Sequence, residues 1–368
     1  MTPDSEVSLK RAVIRALLDE HNLDGLLLTT PPSVSWITCG GDPVVDQTAA
    51  AGVAAVLCTR EGEVLLTNTI EHARMLEEAL PHPPARVDVF GWYEATPPSV
   101  ALLLREGAVL GADMALPGFV DRSHVVSTMR LILSPTEQER YRGLCRAAGT
   151  AIEAAARSVK PGMSELEIAG AVAAASYARG AVPIVVLVAA DERIARYRHP
   201  LPTPRRLDRH ALLVLCARRH GLVASVTRSV YVGRLPDDLR RRHEACTYVD
   251  GAMLEATHEG ATAGDVFARS QEAYASVGFP DEWLLHHQGG AAGYQSREWL
   301  ALPGGLEEIH EGMAFAWNPS ITGTKSEDTV LLGPEGVEVA TATGDWPTTT
   351  VTVGTTTFDR PDILEVGR

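Results

Sequence analysis

Two segments of this 368-residue chain concentrate the side chains able to move protons or hold an anion. His286 and His287 open HHQGGAAGYQSRE, while Asn318, Lys325 and Glu327 stand in GMAFAWNPSITGTKSEDTVLLG. An imidazole changes charge near neutral pH and can act as acid or base. A planar guanidinium such as Arg297 grips a carboxylate at two points, so a carboxylate-bearing substrate is expected, with an Arg297 to Glu298 surface network as the alternative. Gln288 and Tyr294 add neutral hydrogen-bonding groups, and the Asn318 amide can hold a carbonyl or a water. Glu327 is available as a base, or as the partner that orients a histidine or arginine. Adjacent strand residues face opposite ways, so His286 and His287 are not expected to chelate one ion together, and His287 is expected behind the sheet.

The spacing of these groups resembles the pita-bread family of methionine aminopeptidase, prolidase, aminopeptidase P and creatinase. Gly289, Gly293, Gly312, Met313, Pro319, Glu327, Asp328 and Thr329 keep its HxxxHGxG, GMxxxxEP and EDT frame, and GLVASVTRSVYVG is similar to its DxTRTxxxG strand. The resemblance places Ser225 at a metal-binding aspartate, Gly290 at the ligand histidine and Asn318 at the first glutamate. Glu327 matches a ligand type, and the segment 214–216 offers no carboxylate for the remaining position. Gly289 and Gly290 are expected to leave room where an imidazole would stand. By the same resemblance His199, held out of helical geometry by Pro200, takes the place of a proton-handling pocket histidine, and His286 that of a second one. Arg228 matches an arginine whose alternative reading is a structural partner for a neighbouring carboxylate. Arg198, Trp317 and Lys325 complete the expected substrate-binding set with Arg228, Tyr294, Arg297 and Asn318.

Two divalent cations need several hard oxygen ligands and comparable negative charge. One carboxylate among Arg218, Arg219, Arg228, Arg297 and Lys325 does not supply that, so neither a metal nor another cofactor is expected.

Local signals place these residues on an α+β fold. LKRAVIRALLDEHNLDG has helical periodicity and a stop at 22–25, the hairpin VAAVLCTREGEVLLTN turns at 60–62, and further helix and strand candidates alternate to about residue 130. Residues 1–133 therefore read as a smaller α/β domain resembling the creatinase N-terminal domain. In it, Trp36, Asp42 and Asp46 either face a substrate or, for Trp36, fill a core. Residues 134–368 read as the pita-bread domain. It opens with two helices announced by Ser134 to Glu137 and Ser164 to Glu167, followed by a buried strand at 182–188 and a hairpin about His220-Gly221. Two further helices lie within 236–260 and 262–277.

The net charge of −14 disfavours nucleic acid, and no window approaches a membrane span. Five scattered cysteines without a CxxC motif fit a reducing cytoplasm. The resemblance implies a homodimer. It also supplies a precedent, since creatinase cleaves a small amidino compound without a metal, using histidine and glutamate. The expectation is a metal-independent hydrolase of a C–N bond in a small carboxylate-bearing, amino-acid-like compound, with His199, His286 and Glu327 catalytic. The alternatives are a metal-free lyase, isomerase or cyclase, a non-catalytic ligand-binding relative, or a Xaa-Pro-type metallopeptidase whose site is rebuilt from Cys216, His220, His199 or His286 with Glu327.

Overall fold

The computed structural model describes residues 3–367. One compact unit runs to Glu137 and takes in Arg219–Leu222; the second comprises Gln138–Arg218 and the residues from Val223 onward. The division falls inside the first turn of a helix. Ser134 and Glu137 cap that helix reciprocally, at 2.8 and 3.3 Å, and Glu137 pairs with buried Lys10 at 2.9 Å. The opening turn is thereby tied to the N-terminal residues.

In the first unit α1 (Pro3–Glu20) buries Ile14, Leu17 and Leu18, and it ends before Asn22, whose φ of 51° an asparagine tolerates. Then follow β1 (Gly25–Leu28), α2 (Pro31–Ile37), β2 (Ala54–Thr59), β3 (Gly62–Asn68), α3 (His72–Arg74) with a π turn over Met75–Ala79, β4 (Arg86–Phe90), α4 (Pro98–Arg105), β5 (Leu110–Ala112), β6 (Val120–Asp121) and α5 (Ser123–Met129). The strands form one sheet in the order β4-β3-β2-β1-β5-β6. Every residue of β1 is buried, as a short unbroken apolar run between two neighbours requires. Trp36 fills the core at 3% exposure, and its carbonyl accepts from Lys10 Nζ at 2.6 Å. Asp42 and Asp46 instead accept from backbone N–H groups two residues on, ordinary Asx turns.

The second unit contains α6 (Pro135–Arg157), α7 (Glu165–Tyr177), β7 (Val182–Ala190), α8 (Glu192–Arg196), β8 (His210–Arg219), β9 (Leu222–Val232), α9 (Asp237–Glu255), α10 (Ala263–Ser276), β10 (Gly289–Ala292), β11 (Ala314–Trp317), β12 (Ser320–Ile321), β13 (Thr324–Lys325), β14 (Asp328–Gly333), β15 (Gly336–Val339), β16 (Thr348–Val353), β17 (Thr356–Pro361) and β18 (Leu364–Val366). Capping boxes at Ser164 and Thr262 start α7 and α10. Two four-stranded sheets, β18-β9-β8-β7 and β10-β11-β14-β15, carry the domain. The C-terminal segment is ordered, because β18 adds to β9 in parallel. Among the described residues no helix is long and apolar enough to cross a membrane, and all five cysteines are free and buried.

Candidate functional site

Register decides which side chains reach the cavity of the second unit. On β11 and β14, Trp317 lies opposite Asp328, so the next pair, Asn318 and Glu327, projects to the other side. Trp317 is fully buried, stacks on Phe315 at 5.5 Å and donates its indole N–H to Thr257 Oγ1. Expected to bind substrate, Trp317 is instead a core residue. Asn318 and Glu327 line an open cavity of about 160 Å³ together with Val185, Leu187, His199, Val214, Cys216, His287, Ser296, Arg297 and Lys325. The apolar wall comes from two cross-strand pairs of β7 and β8, Val185 with Cys216 and Leu187 with Val214. Sequence reading places the 214–216 segment at the site, by resemblance, but misses Val185, Leu187 and Ser296. The period-2 alternation of the strand at 182–188 could have found Val185 and Leu187.

At the cavity floor Glu327, 2% exposed, is held by three donors. Lys325 Nζ stands 2.7 Å from Oε2, Thr227 Oγ1 donates to the same oxygen at 2.6 Å, and Arg297 donates to Oε1 at 3.1 Å. Burial alone would raise this carboxyl, but Lys325 and Arg297 overcome it and hold Glu327 at about 2. A carboxylate so held takes up no proton near neutral pH. Of its two expected roles the geometry supplies the second, orienting a cation. Two cations against one carboxylate leave the floor with a net positive charge, suited to an anionic group.

Three histidines stand above it. His199 Nε2 lies 3.1 Å from His286 Nε2, and the His286 and His287 rings stack at 4.4 Å and 26°. The expectation that His287 lies behind a sheet is corrected, since it lines the cavity. Residues 286–288 follow a 3-10 turn, Glu282–Leu285, and precede β10, so strand alternation does not apply to them. Burial first, then the charges of Lys325 and its neighbours, push His286 down to about 2; burial, then Arg297 and Lys325, push His287 to about 4, and His199 is lowered for the same reasons. All three rings are neutral near pH 7.

Other expected substrate contacts are committed elsewhere. Arg228, 3% exposed, pairs with Glu153 at 3.2 Å and Asp328 at 3.0 Å, because β9 turns Thr227 toward the cavity and Arg228 away. Arg198 pairs with Glu282 at 2.5 Å and bonds Thr322 at 3.0 Å. Tyr294 is 2% exposed and outside the cavity lining. Gln288 is buried, its amide held by Tyr274 and the His286 carbonyl. The room expected at Gly289 and Gly290 is absent. A Cβ on Gly290 would meet the Trp299 carbonyl at 2.0 Å, and one on Gly289 the Ala316 carbonyl at 2.2 Å. The backbone of 298–301 runs along β10, bonding Ala291 and Gly289, so that strand has no space for an imidazole.

The fold implies a pair of divalent metal ions, which the donor set does not fit. Glu327 is the carboxylate of the lining and is already ion-paired; Cys216 Sγ faces Ser225 Oγ at 3.3 Å, with its thiol pushed up by burial and by Glu327. The possible ligand atoms of His199, His286 and His287 lie within 4.8 Å of one another. Yet imidazole lone pairs lie in the ring planes, and two rings stacked at 26° aim them past each other rather than at one point. Lys325 and Arg297 add repulsion toward a cation.

Two four-stranded sheets flanked by helices, one antiparallel and one with a parallel edge strand, and a cavity walled by the β7–β8 pair and by Asn318, Lys325 and Glu327 beside β11 and β14, define a pita-bread domain, here preceded by an α/β unit. Residues 139–337 match metallopeptidase family M24 and residues 10–132 the creatinase/prolidase N-terminal domain; the chain belongs to family M24. It is 26% identical over 228 residues to a Xaa-Pro dipeptidase of Pyrococcus furiosus, covering 60% of this chain and 65% of that protein. It is 29% identical over 140 residues to the agropine synthesis cyclase of Rhizobium rhizogenes, covering 36% and 35%. The chain thus spans less than two thirds of the length of the relatives it matches. The prolidase structure from Pyrococcus horikoshii OT3 superposes with a TM-score of 0.77 at 23% identity, over 91% of this chain and 98% of that one, a likeness of fold.

Proposed function

We propose that the protein is a metal-independent enzyme that hydrolyses a C–N bond, amide or amidine, in a small carboxylate-bearing compound. The observation that carries this reading is His199 in the cavity lining with Arg297 and Lys325, its Nε2 3.1 Å from that of His286, a buried residue outside the lining. Arg297 and Lys325 receive the substrate carboxylate, with Glu327 fixing both. His199 takes a proton from the attacking water. Both its nitrogens are then donors, and His286 Nε2 stands where it accepts from one of them, which stabilises the imidazolium until the proton passes to the leaving nitrogen. We also propose a homodimer, from family resemblance, and a reducing cytoplasm, which the free cysteines suit.

A second reading is intramolecular ring closure by the same acid–base pair, favoured by the similarity to a protein named as a cyclase. Incubating the protein with a panel of small carboxylate-bearing amides and amidines in ¹⁸O-labelled water separates the two. Hydrolysis puts solvent oxygen into the product; ring closure does not. His199→Ala is expected to cut turnover by about 10²–10⁴-fold, and unchanged turnover would remove the acid–base assignment.

A further inference from the structure

We propose that Glu282 is a positioning residue for the proton transfer: one of its carboxylate oxygens ties together the three chain segments that deliver His199, His286 and Lys325. This role goes beyond the acid–base reading above and rests on it.

Each of the three comes from a segment with little hold of its own. His199 lies in the loop between α8 and β8. His286 follows the 3-10 turn Glu282–Leu285, in which no residue is buried; Leu284 and Leu285 are exposed, and Trp283 meets Phe267 edge-on at 5.6 Å. Lys325 sits in a hairpin of two-residue strands, β12 and β13, which pairs Ser320 with Lys325 and Ile321 with Thr324. So short a hairpin is not stable by itself. The 3.1 Å approach of the His199 and His286 rings therefore needs a tie from outside the rings.

Glu282 supplies that tie. Its Oε2 accepts from Arg198 Nη2 at 2.5 Å, from Thr322 N–H at 2.9 Å and from Thr322 Oγ1 at 3.0 Å. Arg198 Nη2 also donates to Thr322 Oγ1 at 3.0 Å, so the hydroxyl gives its one proton to Glu282 and receives another from Arg198. The triangle is closed, and its ionic side is a charge-assisted bond. Arg198 adjoins His199, Glu282 stands four residues before His286, and Thr322 three before Lys325. Both charged side chains are 15% exposed, which leaves the pair less screened than one in open water. His243 on α9 holds Thr324 at 2.7 Å, which anchors the hairpin to that helix but not to the histidine segments.

The test is NMR of the full-length protein labelled with ¹⁵N-histidine, reading the scalar coupling between the two Nε2 nuclei across their shared hydrogen bond, a coupling that fades steeply as the nitrogens separate. The wild type is expected to show it. Glu282→Ala and Arg198→Met open the triangle at different corners, and both are expected to lose the coupling while folded; should one fail to fold, the other decides. Arg142→Met makes the same charge change as Arg198→Met but breaks the pair with Glu338 on β15, and it is expected to keep the coupling. On any panel compound that the wild type converts, kcat is expected to fall about 10–10²-fold in the two triangle variants, by more than KM changes. Coupling that survives in a folded triangle variant, coupling lost equally in Arg142→Met, or an unchanged kcat overturns the role of Glu282 and leaves the acid–base reading standing. Absence of the coupling in the wild type overturns the histidine pair, and with it both that reading and the role of Glu282.

Discussion

The consecutive residues Glu327 and Asp328 sit on opposite faces of one strand edge and show what the same charge does in two settings. Glu327 meets Lys325 and Arg297 beside an open cavity. Asp328 meets Arg228 and Arg360 where no side chain exceeds 2% exposure, and Arg360 also pairs with Asp250 at 2.7 Å. Arg360 is raised above its ordinary value by these two carboxylates despite its burial. On the back face charges are closed on one another and hold strands together. On the cavity face two cations have one carboxylate between them and capacity for another. Alternation along a strand, not residue type, separates structural from ligand-facing charge.

The back face is where the largest loss of stability is expected. Arg360→Met leaves Asp250 without its cation while Asp328 keeps Arg228, and a buried charge so unpaired costs about 3–5 kcal/mol; urea unfolding measures it, and a loss below about 1 kcal/mol would erase the contrast between the two faces. Glu327→Gln is expected to cost less, about 1–3 kcal/mol, because Lys325 and Arg297 can turn toward cavity water. The same titration should show turnover falling while the fold persists. If Glu327→Gln proved the more destabilising change, the cavity face would be the structural one.

A smaller effect comes with pH. His286 is held at about 2, and His287 and His210 at about 4, from an ordinary value of 6.5. Below pH 6.5 the unfolded chain binds protons that these rings refuse in the folded state, so stability falls as pH drops. Glu327, at about 2 rather than 4.5, adds to the decline between those values. Thermal melts should be flat between about pH 7 and about pH 8 and decline below pH 6.5; a rise in melting temperature on acidification from about 6.5 to about 4.5 would contradict the neutral-histidine description.

Much of the fold was legible because its signals are local. The capping boxes at Ser134 and Ser164 need only residues three apart, and the separation of Thr227 from Arg228 needs only the pleat. The misreadings share a cause, the dependence of a site on distant backbone. Gly290 reads locally as space because the backbone at Trp299, which closes it 2.0 Å from the absent Cβ, is 9 residues on in sequence. His287 escapes strand alternation because the strand begins only at Gly289. Trp317 and Asn318 could have been separated by alternation once Glu327 was taken as the inward residue. The resemblance reaches Cys216 and Val214, but their pairing with Val185 and Leu187 into an apolar wall needs the register of β7 on β8, which no local pattern encodes.

The central claim is that proton transfer and fixed cations perform the chemistry in this cavity without a divalent metal. Elemental analysis of protein purified without added ions, coupled to turnover of the amide and amidine panel before and after chelation, tests it most directly. The account predicts sub-stoichiometric metal and conversion that chelation leaves unchanged. Stoichiometric zinc, manganese or cobalt, with conversion abolished by chelation and restored by adding the ion back, would contradict it.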